Sequence, residues 1–401
     1  MAIDMIDGHR LSESFFNGGT QRFFSPSRWF WGPEAIDQSL ELLAELRCPL
    51  LVFDGAVSGL AAFERIGAVS RWSGKHRLSG PCCTETAQAL AGELGHVGAI
   101  VAVGGGSTID TVKGALAHWL YGDLDGLGMG SRRAERPLPD RSKPTLICFP
   151  TTCGAGAEAS RYYVTYRRHD RSKVHGKSWH LVANWIFGDP SFLEFAPDSL
   201  LVETAFDAFV HFWESYFCQF ERGELSRAIS LHGMATVLGA LPGALRREAS
   251  CLNRLCYAGT LGGVAIANVR TGHIHEAAGP LLEASGLSHG AALWVFFPTA
   301  VRDLGPIVAA DPSLCRILEA CGPLASDPTT KLIAWWHRYF ADAGIQVRIA
   351  AAIDAVNDQA LQDRIHQRIS TDRVWCAKES PIRLDDEAIR RFVANALATQ
   401  Q

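Results

Sequence analysis

Ala99-Ile-Val-Ala-Val103 runs directly into Gly104-Gly105-Gly106-Ser107 and then into a helix-compatible stretch opening at Thr108-Ile109-Asp110. Five apolar residues without polar alternation suit a strand covered on both faces, the habit of parallel sheets. A strand, a glycine turn and a helix N-terminus in that order leave bare backbone N–H groups and the positive end of a helix dipole facing one point. The turn is therefore predicted to hold an anion such as a pyrophosphate. Ser107 also reads as a helix N-cap and Asp110 as the residue closing a capping box, which needs no ligand. The spacing is not G-x-G-x-x-G, so the ordinary dinucleotide fingerprint is absent.

Upstream, Leu50-Leu-Val-Phe53 ends in Asp54-Gly55. A carboxylate at the end of a strand can accept hydrogen bonds from a ribose and would repel a 2′-phosphate, which favours NAD(H) over NADP(H); the same residues also suit a plain Asp-Gly turn. Between residues 49 and 150 short apolar runs alternate with helix-like segments, and from about Pro197 long helical periodicity takes over. The expectation is an α/β N-terminal dinucleotide-binding domain with a parallel sheet, residues 1–193, and an all-α C-terminal metal-binding domain, residues 194–401. The stretch Gly122 to Lys143, rich in glycine, proline and arginine, reads as an exposed loop.

Asp207 and His211 lie four residues apart in a helical segment, so both side chains project from one face and can hold one ion. His275 and His289 lie fourteen residues apart in GHIHEAAGPLLEASGLSHG. On one straight helix they would be separated by roughly 21 Å, too far to share a metal. Gly279-Pro280 and Gly286 are expected to break the stretch and let the chain turn back. One carboxylate and three imidazoles suit Fe(II) or Zn(II) with a coordination position left open. Spacing alone leaves a second reading open, in which these histidines satisfy hydrogen bonds in a helical core.

In chain order, FFSPSRWFWGPEAI, VGGGSTIDTVKG, FPTTCGAGAEAS, GDPSFL, FDAFVHFWES, the two-histidine segment and SPIRLDDEAIRRFV resemble the iron-containing (group III, metal-dependent) alcohol dehydrogenases of the dehydroquinate-synthase-like superfamily. The resemblance implies a nicotinamide dinucleotide between the two domains, its pyrophosphate on Gly105, Gly106 and Ser107, with Thr151, Thr152 and Lys173 lining the remainder; Gly104 and Asp110 of the same turn count among the expected cofactor residues. It places Asp207, His211, His275 and His289 on the metal-ligand positions. The activity implied is hydride transfer between nicotinamide and an alcohol or carbonyl substrate held at the metal.

Two departures stand out. The family commonly has a histidine, a candidate proton relay, where this chain has Gly279; His273 is a possible substitute. Phe206 replaces the usual glycine before the aspartate ligand and is expected to narrow the substrate cleft or to reposition its helix. The basic stretch from Arg161 to Lys177 suits an anionic aldehyde such as phosphonoacetaldehyde, or else a solvated hairpin. Less favoured are a dehydroquinate-synthase-type lyase and a non-catalytic cofactor-binding protein.

A net charge of −4 gives no global pull toward nucleic acid or membrane, so a small-molecule alcohol or aldehyde is the expected partner. The eleven cysteines include no C-x-x-C pair and read as reduced thiols in a cytoplasmic protein. The opening MAIDMIDGHR lacks an apolar run, so no secretory leader is expected, and no apolar run reads as a membrane span; Ala291 to Val301 reads as a buried core helix. The resemblance also implies a homodimer or larger assembly.

Overall fold

The computed structural model describes residues 23–399 apart from 70, 123–142, 170, 219–222, 323–326, 372–380 and 382–383; most of the basic stretch before Lys143 thus lies outside the described residues. Six parallel strands, β1 (Arg28–Trp31), β2 (Pro49–Asp54), β3 (Gly74–Leu78), β4 (Ala99–Gly104), β5 (Thr145–Pro150) and β8 (Trp185–Gly188), form one sheet in the order β1-β8-β5-β4-β2-β3. An antiparallel hairpin of β6 (Tyr162–Tyr166) and β7 (Lys173–Lys177) stands apart from it. Four helices accompany the sheet: α1 (Ala35–Glu45), α2 (Ala61–Val69), α3 (Thr84–Ala91) and α4 (Gly106–Tyr121).

The apolar run of β4 is explained by cover on both sides. Ile100 and Ala102 pack in the layer holding α3 and α4, while Val101 and Val103 pack in the layer holding α1 and α2. From β2 the chain moves outward to β3, then crosses back over β2 to β4 and continues the other way to β5. The carboxyl ends of β2 and β4 therefore flank a topological switch point, the crevice where open α/β sheets bind ligands. Asp54 and the glycine turn sit on its two sides.

The rest is helical: α5 (Asp198–Phe217), α6 (Glu224–Leu245), α7 (Ala249–Asn268), α8 (His273–Ser285), α9 (His289–Asp303), α10 (Gly305–Ala309), α11 (Pro312–Leu318), α12 (Pro328–Asp342), α13 (Ile345–Val356), α14 (Gln359–Thr371) and α15 (Asp386–Ala398). Ala291 to Val301 is buried throughout within α9, as its sequence suggests. Contrary to the reading of no membrane-length run, α6 is long and apolar enough to cross a bilayer, but it packs on α5 and α7 with about half of that window buried.

Two expectations need correction. Ser107 lies inside α4, whose N-cap is Gly105, and Asp110 does not close a capping box: its Oδ2 accepts the N–H of Val164 on the hairpin. The reason is the next turn of α4, where fully buried Lys113 donates from Nζ to the carbonyls of Ala157, Ser160 and Tyr162 and draws the hairpin onto the helix. Pro280 does not break its helix either. α8 runs through Gly279 and Pro280 because its apolar face, Ile274, Ala277, Ala278 and Leu281, is buried, and the chain turns only at Gly286, at φ 69°.

The segment following β5 meets α5 and α7 through glycines. A Cβ on Gly154 would lie 2.8 Å from the Thr204 carbonyl oxygen, one on Gly259 would lie 2.7 Å from the Cys153 carbonyl carbon, and one on Gly263 would overlap the Gly156 carbonyl. Backbone rests on backbone along this seam. Gly263→Ala is expected to cost about 1–3 kcal/mol or more, because the overlapped atom cannot move aside. Gly279→Ala, where a Cβ meets nothing within 4 Å, should be neutral or stabilise by up to about 1 kcal/mol. Thermal melts of the two variants check the contrast; equal melting temperatures would show that the seam is not tight.

Candidate metal centre and cofactor cleft

Asp207 and His211 project from one face of α5, while Phe206, Phe209 and Trp213 project from the other into the helical core. His275 lies in the first turn of α8 and His289 opens α9. Gly290 lets α9 start hard against α5, since a Cβ there would overlap the Glu203 carbonyl. The Nε2 atoms of His211, His275 and His289 come to 3.4, 3.5 and 3.5 Å from the single oxygen Asp207 Oδ1. The His211 and His275 rings stack with centroids 4.9 Å apart, and His275 and His289 lie 5.2 Å apart. All four residues named from the sequence thus converge. The tightest set of possible ligand atoms comes from Asp207, His275 and His289, mutually within 4.8 Å, with His211 completing the ring around Oδ1.

Whether this group fits a metal is decided by its lone pairs. Asp207 Oδ1 and His275 Nε2 are both buried without a hydrogen-bond partner, and buried polar atoms normally have one. His275 Nδ1 is 2.6 Å from Glu214 Oε2 and donates to that carboxylate, which leaves Nε2 as the ring nitrogen turned toward Asp207. A carboxylate oxygen and an imidazole lone pair aimed at one point fit a divalent cation. Burial works to raise the Asp207 pKa, but the three imidazoles outweigh it and hold the carboxyl well below its ordinary range. Burial disfavours the charged His275 ring, yet the Glu214 and Asp207 carboxylates push its pKa up to about 9, so a cation bound here would take the place of the Nε2 proton.

Glu214 does not stand out in the sequence, although Asp207, His211 and Glu214 follow the i, i+4, i+7 pattern of one helical face. Its Oε1 accepts the Ile274 N–H at 2.7 Å, so this one carboxylate caps the start of α8 and orients a candidate ligand on it.

Other expected residues lie elsewhere. Phe206 does not narrow a cleft: its ring is fully buried among Trp294, Phe297, Trp336 and Phe340. The neighbouring position on a helix is rotated by about 100°, so Asp207 facing the centre turns Phe206 away. His273, two positions from His275, packs against Phe392 of α15 and does not replace the missing relay histidine. Arg161 lies over the rings of Tyr162 and Trp179, and Lys177 pairs across from Tyr162, at the end of the hairpin opposite Lys173.

The candidate cofactor residues lie around the switch point. A Cβ on Gly104 would lie 2.5 Å from Thr108 Oγ1, one on Gly105 3.1 Å from Thr152, and one on Gly106 2.7 Å from Ala155 Cβ. Only glycine keeps this cradle open, which fits a closely approaching phosphate. The Thr151 N–H donates to the Gly104 carbonyl, fastening the loop after β5 to the turn. A cavity of about 560 Å³ runs beside the start of α4, lined by Asp54, Arg77, Ser107, Thr108 and the hairpin arginines Arg167, Arg168 and Arg171. Burial depresses the Lys173 ammonium, opposed by the nearby Glu276 carboxylate, which itself accepts from Arg368 Nε at 2.7 Å.

Residues 26–190 match the iron-containing alcohol dehydrogenase family, and residues 201–322 match the C-terminal part of the Fe-containing alcohol dehydrogenase family. The chain is 27% identical over 254 residues to the 1,3-propanediol dehydrogenase of Klebsiella pneumoniae, covering 61% of this chain and 63% of that protein. It is 27% identical over 225 residues to the sulfoacetaldehyde reductase of Bilophila wadsworthia, covering 55% and 54%. The chain thus spans little more than half the length of these curated relatives. The fold is shared with an iron-containing alcohol dehydrogenase from Thermococcus thioreducens, at TM-score 0.76, 19% identity and coverage of 94% and 100%. Because both parts of the chain match in order, and on this same fold, it belongs to the iron-containing alcohol dehydrogenase family.

Proposed function

We propose that this chain is a metal-dependent, NAD(P)-linked alcohol dehydrogenase or aldehyde reductase. The observation that carries the proposal is the convergence of three imidazole Nε2 atoms on one buried carboxylate oxygen in a chain whose glycine cradle lies at the sheet's switch point. Asp207, His211, His275 and His289 would hold one divalent ion, Fe(II) or Zn(II). When bound, that ion supplies Lewis acidity toward the substrate oxygen, and the dinucleotide supplies the hydride acceptor or donor.

The residues of the chain do the rest. Glu214 accepts the His275 Nδ1 proton and so aims Nε2 at the metal position, where the ion would displace the Nε2 proton. Gly104, Gly105, Gly106 and Ser107, with Thr151 and Thr152 behind them, seat the pyrophosphate, and Lys173 binds near the nicotinamide ribose. Asp54 supports NAD(H), because a carboxylate accepts from a ribose 2′-hydroxyl. With His273 turned away and open space beside Gly279, the alcohol proton passes to water in that space. A cytoplasmic homodimer or larger assembly accords with the family.

A second reading, reduction of an anionic aldehyde, is supported by the similarity to a sulfoacetaldehyde reductase. Arg161 and Lys177 are weak anchors for it, since they lie at the far end of the hairpin from Lys173. An NADH-oxidation screen of neutral and anionic aldehydes with Fe(II), Zn(II) or no added metal separates the readings; no net change in NADH with any carbonyl would instead favour a lyase or a non-catalytic binder.

His275→Ala and His289→Ala are expected to lose the bound metal on elemental analysis together with turnover, and full activity in a metal-free variant would reject the proposed centre. Glu214→Gln keeps the shape of the side chain but weakens the hold on Nδ1, so metal affinity should fall about 10- to 100-fold with the fold retained. Unchanged metal affinity would reduce Glu214 to a helix cap.

A further inference from the structure

A cavity of about 20 Å³ lies where the last turns of α5 meet the start of α8. Much of its wall is apolar, with Trp213, Phe217, Ile274 and Leu304 among its members, but Glu214 and His273 line it as well. His273 is 6% exposed, and its Nε2 is buried with no hydrogen-bond partner among the described residues. The Phe392 ring crosses the imidazole at 70°, with centroids 5.1 Å apart, and offers it no lone pair. A buried ring nitrogen left unpaired is costly, and buried polar atoms normally have a partner. A space of this size takes one water, provided polar groups hold it.

Glu214 is the second partner such a water needs. Its carboxylate accepts the Ile274 N–H at 2.7 Å and His275 Nδ1 at 2.6 Å, and the Gly272 N–H is a third donor. A carboxylate has about four acceptor positions, so one more donor can be taken. The turn beside it is held tightly. Arg270 has φ 100°, which a residue with a side chain rarely adopts, and Ser215 Oγ donates to its carbonyl at 3.3 Å. A Cβ on Gly272 would lie 3.0 Å from Glu214 Oε1, so glycine lets the carboxylate rest against this turn. All three donors belong to the chain entering α8. A water anchored on His273 adds a donor from the cavity and fixes the plane of the carboxylate that aims His275.

We propose that one ordered water occupies this cavity and bridges His273 Nε2 to the Glu214 carboxylate, which makes His273 a positioning residue for His275. The inference rests on the metal centre proposed above and extends its support by one link. It is tested on the full-length protein by titrating Co(II) against a competing chelator and following the visible absorption of the bound ion. His273→Phe puts an apolar ring beside the cavity and should weaken Co(II) binding about three- to tenfold and shift the absorption, with the metal-free protein melting no lower than wild type. His273→Gln keeps a hydrogen-bonding amide and should recover most of the affinity. In a Glu214→Gln background His273→Phe should cause no further loss, because the two residues act in series. A crystal structure of the Co(II) form should show one water within hydrogen-bonding distance of both groups, an outcome that does not depend on how well the Phe variant folds. Wild-type affinity and absorption in His273→Phe, an equal loss in His273→Gln, or a dry cavity would each overturn the role of His273 and leave the proposed centre standing. A wild type that binds no Co(II) would overturn both.

Discussion

A carboxylate oxygen ringed by three imidazoles organises the helical part of this protein. Asp207 is buried, its Oδ1 has no hydrogen-bond donor among the described residues, and three imidazole Nε2 atoms stand 3.4–3.5 Å from it. Burying a charge this way costs several kcal/mol unless positive charge answers it. Three helices, α5, α8 and α9, present their residues to this point. Much of the local sequence is explained by getting them there: Gly290 for the approach of α9 to α5, Gly286 for the turn between α8 and α9, and Glu214 for the start of α8. The centre and the packing are one design, since the face of α5 that carries Asp207 and His211 fixes which residues fill the aromatic core behind it.

The features legible in the sequence are those set by periodicity or by a single residue's backbone freedom. The unbroken apolar run of Ala99 to Val103 announced a strand covered on both sides, and the glycines after it announced a close approach. The Asp207–His211 pair followed from helical spacing, and the pairing of His275 with His289 followed once a turn between them was allowed. What could not be read was rotational phase about each helix. Phe206 and His273 sit one and two positions from residues facing the centre, so each points elsewhere, and nothing in a list of nearby residues reveals that. Pro280 misled for a related reason: a proline's local cost is about 3 kcal/mol, and a buried helical face can outweigh it.

The basic stretch between Arg161 and Lys177 is a further case in which chain proximity and spatial proximity part. Strand pairing turns the stretch into a hairpin, so its two ends come together at one extremity and its middle lies at the other. The ends, Arg161 and Lys177, sit where Trp179 covers the arginine, whereas Arg167, Arg168 and Arg171 line the cavity that begins at the glycine turn. A cluster that looks uniform along the sequence is divided by the fold between a stacked aromatic contact and an arginine-lined cleft.

The backbone-to-backbone seam of Gly154, Gly156, Gly259 and Gly263 has a consequence for the chemistry. The loop that steadies the glycine cradle is clamped onto α5, which carries Asp207 and His211, and onto α7 with no side chain between them, and no side chain means no rotamer to absorb a displacement. The proposed hydride transfer would depend on the distance between its two partners, and an error of 1 Å can slow such a step by about a hundredfold. The seam works as a jig, setting the alignment of the two half-sites when the chain folds, before any ligand arrives. Substrate preference can then drift through the outer walls of the cleft without disturbing the spacing on which the reaction depends.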